Sequence, residues 1–207
     1  MAKIMICIPA MEQVAAGFCQ SLAMLQKGGH EVVIAMECNS LVYDARNKLA
    51  RKAIEAGAEW TMWFDSDMVF EPDTMLKLLD RGKEFVSGLY FRRSPPYSLV
   101  AFDELDLDGR KWKDAEIPTE LKKCGGVGFG CVLVHTNVLF EVAAKYGSWF
   151  DPLNGFGEDL SFCWRARECG YDIYLDPNVS CGHMSHMVVT QAFAKAYQGG
   201  LTDESKN

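Results

Sequence analysis

Asp65 and Asp67 stand one residue apart, directly after the apolar run Trp60–Phe64. Two carboxylates so spaced at a strand's end can reach one hard cation. Oxygen ligands of this kind suit Mg2+ or Mn2+ shared with a diphosphate. A second acidic pair, Glu158-Asp159, follows the glycine-bearing segment Asn154-Gly155-Phe156-Gly157. A carboxylate there can take a proton from a hydroxyl, although a helix N-terminus also favours acidic residues. Arg92-Arg93 offer positive charge to a phosphate or an anionic acceptor, although a solvated loop explains them as well, and Arg46 reads as a solvated helix residue. Trp149 and Phe150 offer either a stacking surface for a sugar or core contacts. Cys163, Cys169, Cys181 and His183 match no familiar zinc spacing.

The elements that must position these groups follow from periodicity. Ile4–Ile8 and Val32–Met36 read as buried strands, and Trp60–Phe64 as a third. Between them, Gln13–Leu25 and Asp44–Ala56 carry apolar residues at helical spacing, each closed by glycine. Pro72 is expected to begin a helix through Leu79, and Phe85–Tyr90 a fourth strand. Such alternation predicts βαβ units and an α/β domain with a central, mostly parallel sheet flanked by helices. Ligands of such sheets bind beyond the carboxyl ends of the strands, where Pro9, Asn39 and Asp65 fall. Phe91–Lys123 has no clear period and reads as loops with a hairpin across the front of the sheet. Cys131–His135 is a further strand, followed by a helix to Tyr146 that Thr136 can cap. Glu158-Asp159 opens a helix ending at Gly170, and Ile173–Leu175 and Val179–Cys181 are short strands. One domain over 1–198 and a polar tail over 199–207 are expected.

Composition narrows the class. The chain has 207 residues, 49% hydrophobic and 24% charged, which excludes wholesale disorder. A net charge of -7 argues against a surface built throughout to wrap nucleic acid. The eight cysteines form no C-x-x-C pair, so reduced thiols and a cytoplasmic location are expected. Lys3 with Ile4–Ile8 imitates a signal sequence, but Pro9 and Glu12 cut the run short. Cys124–Phe140 carries four glycines and a histidine, so no membrane span is expected.

Ala45-Arg46-Asn47, Ala53, Gly57-Ala58-Glu59-Trp60, Asp65-Ser66-Asp67, Pro72 and Leu76 resemble, in order, the family-2-like GT-A glycosyltransferases. The likeness continues through Gly128-Phe129-Gly130-Cys131, Phe156–Phe162, Arg165 and Gly170-Tyr171, and ends at Pro177 and Gly182-His183. It covers about Ile4 to His183, leaving Phe91–Lys123 without a counterpart. The resemblance implies a single Rossmann-like GT-A domain that moves a sugar from a nucleotide-sugar donor with a divalent cation, Mn2+ or Mg2+. Pro9, Ala10 and Glu12 would then border the base, and Asn39 or Arg46 would approach the ribose or diphosphate. Asp65 would hold ribose or metal-bound water, and Asp67 and His183 would bind the cation. Gly128 and Gly130 would line the sugar's subsite, with Glu158 and Asp159 over the reacting carbon. The acceptor stays open among a glycan, a small molecule and a modified nucleic-acid base.

Two other readings fit parts of the pattern. Asp65-Ser66-Asp67-Met68-Val69 also suits a phosphohydrolase of the haloacid-dehalogenase type, although that motif normally sits on a first strand and here at least two precede it. A sugar-binding module with an inactive centre would keep the fold without the chemistry.

Overall fold

The computed structural model describes residues 1–185 and Gln191, so the expected tail lies outside the described residues. Twelve strands and five helices are seen among them: β1 (Lys3–Pro9), α1 (Ala16–Met24), β2 (Glu31–Glu37), α2 (Val42–Glu55), β3 (Trp60–Phe64), β4 (Met68–Val69), α3 (Thr74–Asp80), β5 (Phe85–Leu89), β6 (Ala101–Asp106), β7 (Lys111–Asp114), β8 (Lys122–Cys124), β9 (Gly126–Val127), β10 (Cys131–His135), α4 (Thr136–Tyr146), α5 (Glu158–Glu168), β11 (Ile173–Ser180) and β12 (Gly182–His183).

Seven of these strands make the central sheet, in the order β2-β1-β3-β10-β5-β11-β8. β1 pairs in parallel with β2 and β3, and β11 in parallel with β5, while β10 and β8 run against their neighbours. Five strands therefore share one direction, as the alternating pattern predicts. Side chains alternate across the sheet and bury both faces. In β1, Met5 and Cys7 join one core with Leu49, Val138 and Phe162, from the α2, α4 and α5 side. Ile4, Ile6 and Ile8 join the other, with Phe18 of α1 and Met75 and Leu78 of α3.

Several expectations need correction. β2 is an edge strand rather than a buried one, because only β1 flanks it; Ile34 is 51% exposed. Helix α1 starts at Ala16 rather than Gln13, since Ala15 is extended and gives its N–H to the Ser66 carbonyl at 3.2 Å. Helix α3 begins at Thr74, two residues after Pro72. His135, not Thr136, caps α4: its Nδ1 accepts from the Asn137 N–H at 3.2 Å. The two short strands near the C-terminal end are one strand, β11, with a register irregularity between Asp176 and Ser180. Buried Asp176 sits at that irregularity and takes the Arg81 Nε–H at 2.5 Å. The front of the sheet does carry a hairpin: β6 pairs with β7 and with β9.

Candidate functional site

Because β1, β3, β5 and β11 run the same way, their carboxyl ends meet on one rim. Pro9 and Ala10 leave β1 there, Asp65 to Asp67 leave β3, Tyr90 follows β5, and His183 follows β11. They line a cavity of about 360 Å³, closed from the α5 side by Glu158 and Asp159. The strand ends alone point to Pro9 and Asp65 among these residues, but what joins the set is tertiary.

Asp67 and His183 lie 116 residues apart in the chain and are joined by the smallest possible ladder. β4 and β12 pair antiparallel, Val69 opposite Gly182 and Met68 opposite His183. The Met184 N–H adds a bond to the Asp67 carbonyl at 2.9 Å. As a result His183 Nε2 stands 3.4 Å from Asp67 Oδ2. The other ring nitrogen, Nδ1, is 2.9 Å from the Phe91 carbonyl, which can only accept. In the neutral ring the proton therefore belongs on Nδ1, leaving Nε2 free for a cation; in the protonated ring Nε2–H donates to the Asp67 carboxylate. Hydrogen bonding to Asp67 raises the His183 pKa against the opposing effect of burial. Burial tends to raise the Asp67 carboxyl, but His183 and Arg93 outweigh it and hold it below its usual value. Arg93 Nη1 reaches Asp67 Oδ2 at 2.6 Å.

This pair fits a divalent cation as a partial set. One carboxylate oxygen and one imidazole nitrogen, with the ring's second nitrogen fixed by a carbonyl, is a donor set such ions accept. Among the described residues no group of three or more His, Cys, Asp or Glu is placed to hold a metal. The remaining ligands would have to come from water and a substrate, as is usual for Mg2+ at phosphate sites.

Arg46 occupies the floor between the two acidic pairs. It is 3% exposed and donates Nη2 to Asp65 Oδ1 and Nη1 to Glu158 Oε1, both at 2.6 Å. Its guanidinium lies 5.4 Å from the Phe129 ring centroid and 6.0 Å from that of Phe150. Burial works against its charge, but Asp65 and Glu158 outweigh that and raise its pKa. Arg46 lines the cavity, yet both terminal nitrogens are committed to carboxylates rather than turned to a donor. The next residue, Asn47, accepts the N–H groups of Trp149 and Phe150 at 3.3 and 2.9 Å and donates to Asp151 at 2.7 Å. Helix α2 thus holds both the strand-end acids and the loop that leads to α5.

The acids of α5 differ in their surroundings. Glu158 is claimed by Arg46. Asp159 Oδ1 accepts only the Leu160 N–H, at 2.8 Å, among the described residues. Burial pushes the Asp159 carboxyl up to about 6, opposed by Arg46 and aided by the neighbouring Glu158. Both lie in the first turn of α5, where the helix dipole also favours them.

Four residues carried over from the resemblance do not line the cavity. Glu12 is exposed in the segment before α1, and Met11 lines the cavity instead. Asn39 is exposed with φ 59°, and that left-handed turn presents Ser40, whose buried hydroxyl has no partner among the described residues. Gly128 and Gly130 lie beneath Tyr90. A Cβ at Gly128 would stand 2.2 Å from the Tyr90 hydroxyl, and one at Gly130 would stand 2.8 Å from its ring. The Gly130 N–H donates to that hydroxyl at 3.0 Å. These glycines let Tyr90 line the cavity; like Met11 and Ser40 it was not expected from the sequence, and its place at the end of a rim strand was the available signal. Trp149 and Phe150 are core residues, 6% and 0% exposed.

No protein-family model matches the chain. It is 23% identical over 199 residues to Mannan polymerase complex subunit MNN9 of Candida albicans, covering 78% of this chain and 53% of that protein. The chain thus spans about half the length of that relative. Two crystal structures superpose with a TM-score of 0.61. A197 from STIV is 18% identical, over 89% of this chain and 86% of that one. GalNAc-T7 with UDP, GalNAc and Mn2+ is 12% identical, over 90% of this chain and 43% of that one. Among the described residues no helix is long and apolar enough to cross a membrane. The chain carries a glycosyltransferase-like GT-A fold.

Proposed function

We propose that the chain is a divalent-cation-dependent glycosyltransferase that moves a sugar from a nucleotide donor to an acceptor hydroxyl. The observation that carries this reading is the meeting of Asp65, Asp67 and His183 with Asp159 around one rim cavity. GalNAc-T7, which shares the fold, was crystallised with UDP, GalNAc and Mn2+. The nucleoside would lie along Pro9, Ala10, Met11 and Ser40, bringing its diphosphate toward Asp67 and His183. These two residues would hold the cation, with Asp65 reaching it through water. When bound, the cation offsets the charge that grows on the departing nucleoside diphosphate. Arg93 would release Asp67 and turn to the diphosphate.

Asp159 would accept the acceptor's hydroxyl proton as the new bond to the sugar forms and the bond to phosphate breaks. Glu158, whose Oε1 is engaged by Arg46, would orient the group rather than exchange protons. A phosphohydrolase would need Asp65 as a nucleophile, but its Oδ1 is held by a buried guanidinium. The test is incubation with Mn2+ and a panel of nucleotide sugars, alongside p-nitrophenyl phosphate. Slow, Mn2+-dependent hydrolysis of one donor is expected, and turnover of the phosphate ester alone would overturn the reading. Asp67→Asn should abolish Mn2+-dependent UDP binding in calorimetry and leave the thermal melt nearly unchanged, because its partners Arg93 and His183 stay solvated enough to adjust. Equal UDP binding by variant and wild type would remove Asp67 from the cation site.

A further inference from the structure

The rim cavity does not end at Asp159. A second cavity shares Asp65, Tyr90, Asp159 and His183 with it and continues past Arg92, Phe102 and Leu160. Those last three residues also line a third cavity, of about 360 Å³, which ends at Arg110, Trp112 and Phe156. The three make one groove, leading from the α5 acids to the front hairpin.

Its far end has a definite chemistry. Trp112 is 57% exposed although it is the largest side chain of its strand. Its ring meets Phe156 edge to face at 5.7 Å, so the two form one apolar surface. Arg92 and Arg110 are both exposed on the groove and ion-paired to no described residue, in a chain of net charge -7. The platform is held in place: the Asn154 side-chain amide donates to the Leu107 carbonyl at 3.2 Å, and Arg167 Nη1 donates to the Leu105 carbonyl at 2.8 Å. Hairpin and loop are thereby tied to α5, the element that carries Asp159.

We propose that this groove is the acceptor site and that the acceptor is an anionic saccharide, a sugar bearing phosphate or carboxylate. This rests on the transferase reading, because it takes Asp159 as the end at which the acceptor hydroxyl reacts. The apolar face of a sugar ring packs on Trp112 and Phe156. The two guanidinium forks take the anion, as planar donors suit both phosphate and carboxylate.

Ligand-observed NMR and calorimetry on the full chain test it, with glucose 6-phosphate, glucuronate, glucose and inorganic phosphate as probes. One of the two anionic sugars should bind at least about tenfold more tightly than glucose and than inorganic phosphate. Which of them binds distinguishes phosphate from carboxylate. Arg110→Gln and Trp112→Ala should each weaken that binding by about tenfold, while UDP binding with Mn2+ stays unchanged. Both side chains are exposed, so the melts should match wild type. If neither anionic sugar outbinds glucose, or if both variants bind as wild type does, the proposal falls. Loss of UDP binding in wild-type protein would instead sink the donor site while leaving the groove result standing.

Discussion

At Arg46 two carboxylates are held by one guanidinium, and in the proposed transferase this divides the labour between Glu158 and Asp159. Glu158 Oε1 is engaged at 2.6 Å by that buried arginine, whereas Asp159 makes no such contact among the described residues. Asp159, raised to about 6 chiefly by burial, binds a proton more strongly and becomes available just below neutrality. Asp159→Asn is therefore expected to lower turnover by roughly 10²–10⁴-fold with little change in donor affinity. Wild-type turnover should rise as pH passes through about 6, and the variant's residual rate should lack that step. The stability effect has the opposite sense. An acid whose pKa is raised on folding favours the folded state below its unfolded value, and loses that advantage as pH climbs to about 6. At neutral pH Asp159→Asn should stabilise the fold by about 1–3 kcal/mol, read from denaturant melts at pH 4 and pH 7. A pH-independent difference between the two proteins would contradict the burial argument. The Asp65-Ser66-Asp67 motif was legible from type and spacing alone. The preference for Asp159 over Glu158 as base depends here on where Arg46 points, a contact across 112 residues.

Helix α2 shows what a single element contributes. Its Arg46 and Asn47 are consecutive, so they project from adjoining parts of the helix, one to the strand-end acids and the other to the loop before α5. Asn47 is a clamp whose removal strands two backbone N–H groups at Trp149 and Phe150. Asn47→Ala should cost about 1–3 kcal/mol. It should also lower kcat more than it changes UDP affinity, since the loop positions α5 and not the nucleoside end. Equal losses in kcat and UDP binding would argue for a general loosening. The strands β1, β3, β5 and β10 were readable in the sequence as largely apolar runs, because both of their faces are buried. β2 misled because Val32–Met36 is as apolar as a central strand, and nothing local marks it as an edge. The hairpin's presence was readable, but its partner β9 and its link to α5 were not. Those depend on Gly126 fitting opposite Phe102.

On the scale of the whole molecule, the site rests on an aromatic cluster. Phe129 has ring neighbours at Trp63, Phe85, Phe150 and Phe162, with centroids 5.0–5.8 Å away, and Arg46 lies above it. The sheet core and the floor of the rim cavity are thus one packed body. Phe129→Ala should cost about 3–5 kcal/mol in a chemical melt. It should also weaken UDP–Mn2+ binding, because Arg46 loses the surface that fixes its height beneath Asp65. If the variant lost stability but kept wild-type affinity, floor and core would be independent. Phe129→Leu, which keeps most of the volume, should recover much of both.

The two-residue pairing of β4 with β12 has a consequence for how the chain's last described segment responds to ligand. A ladder so short adds little cohesion by itself, so Gly182–Ser185 can open without disturbing the sheet. Any cation shared between Asp67 and His183 would act as a rivet across that seam. Binding free energy then becomes local folding free energy for this stretch. Amide hydrogens of His183 and Met184 should exchange quickly in the free protein and slow markedly when UDP and Mn2+ are added together. UDP without metal should protect them far less. Exchange that ignores both would place the cation elsewhere on the rim.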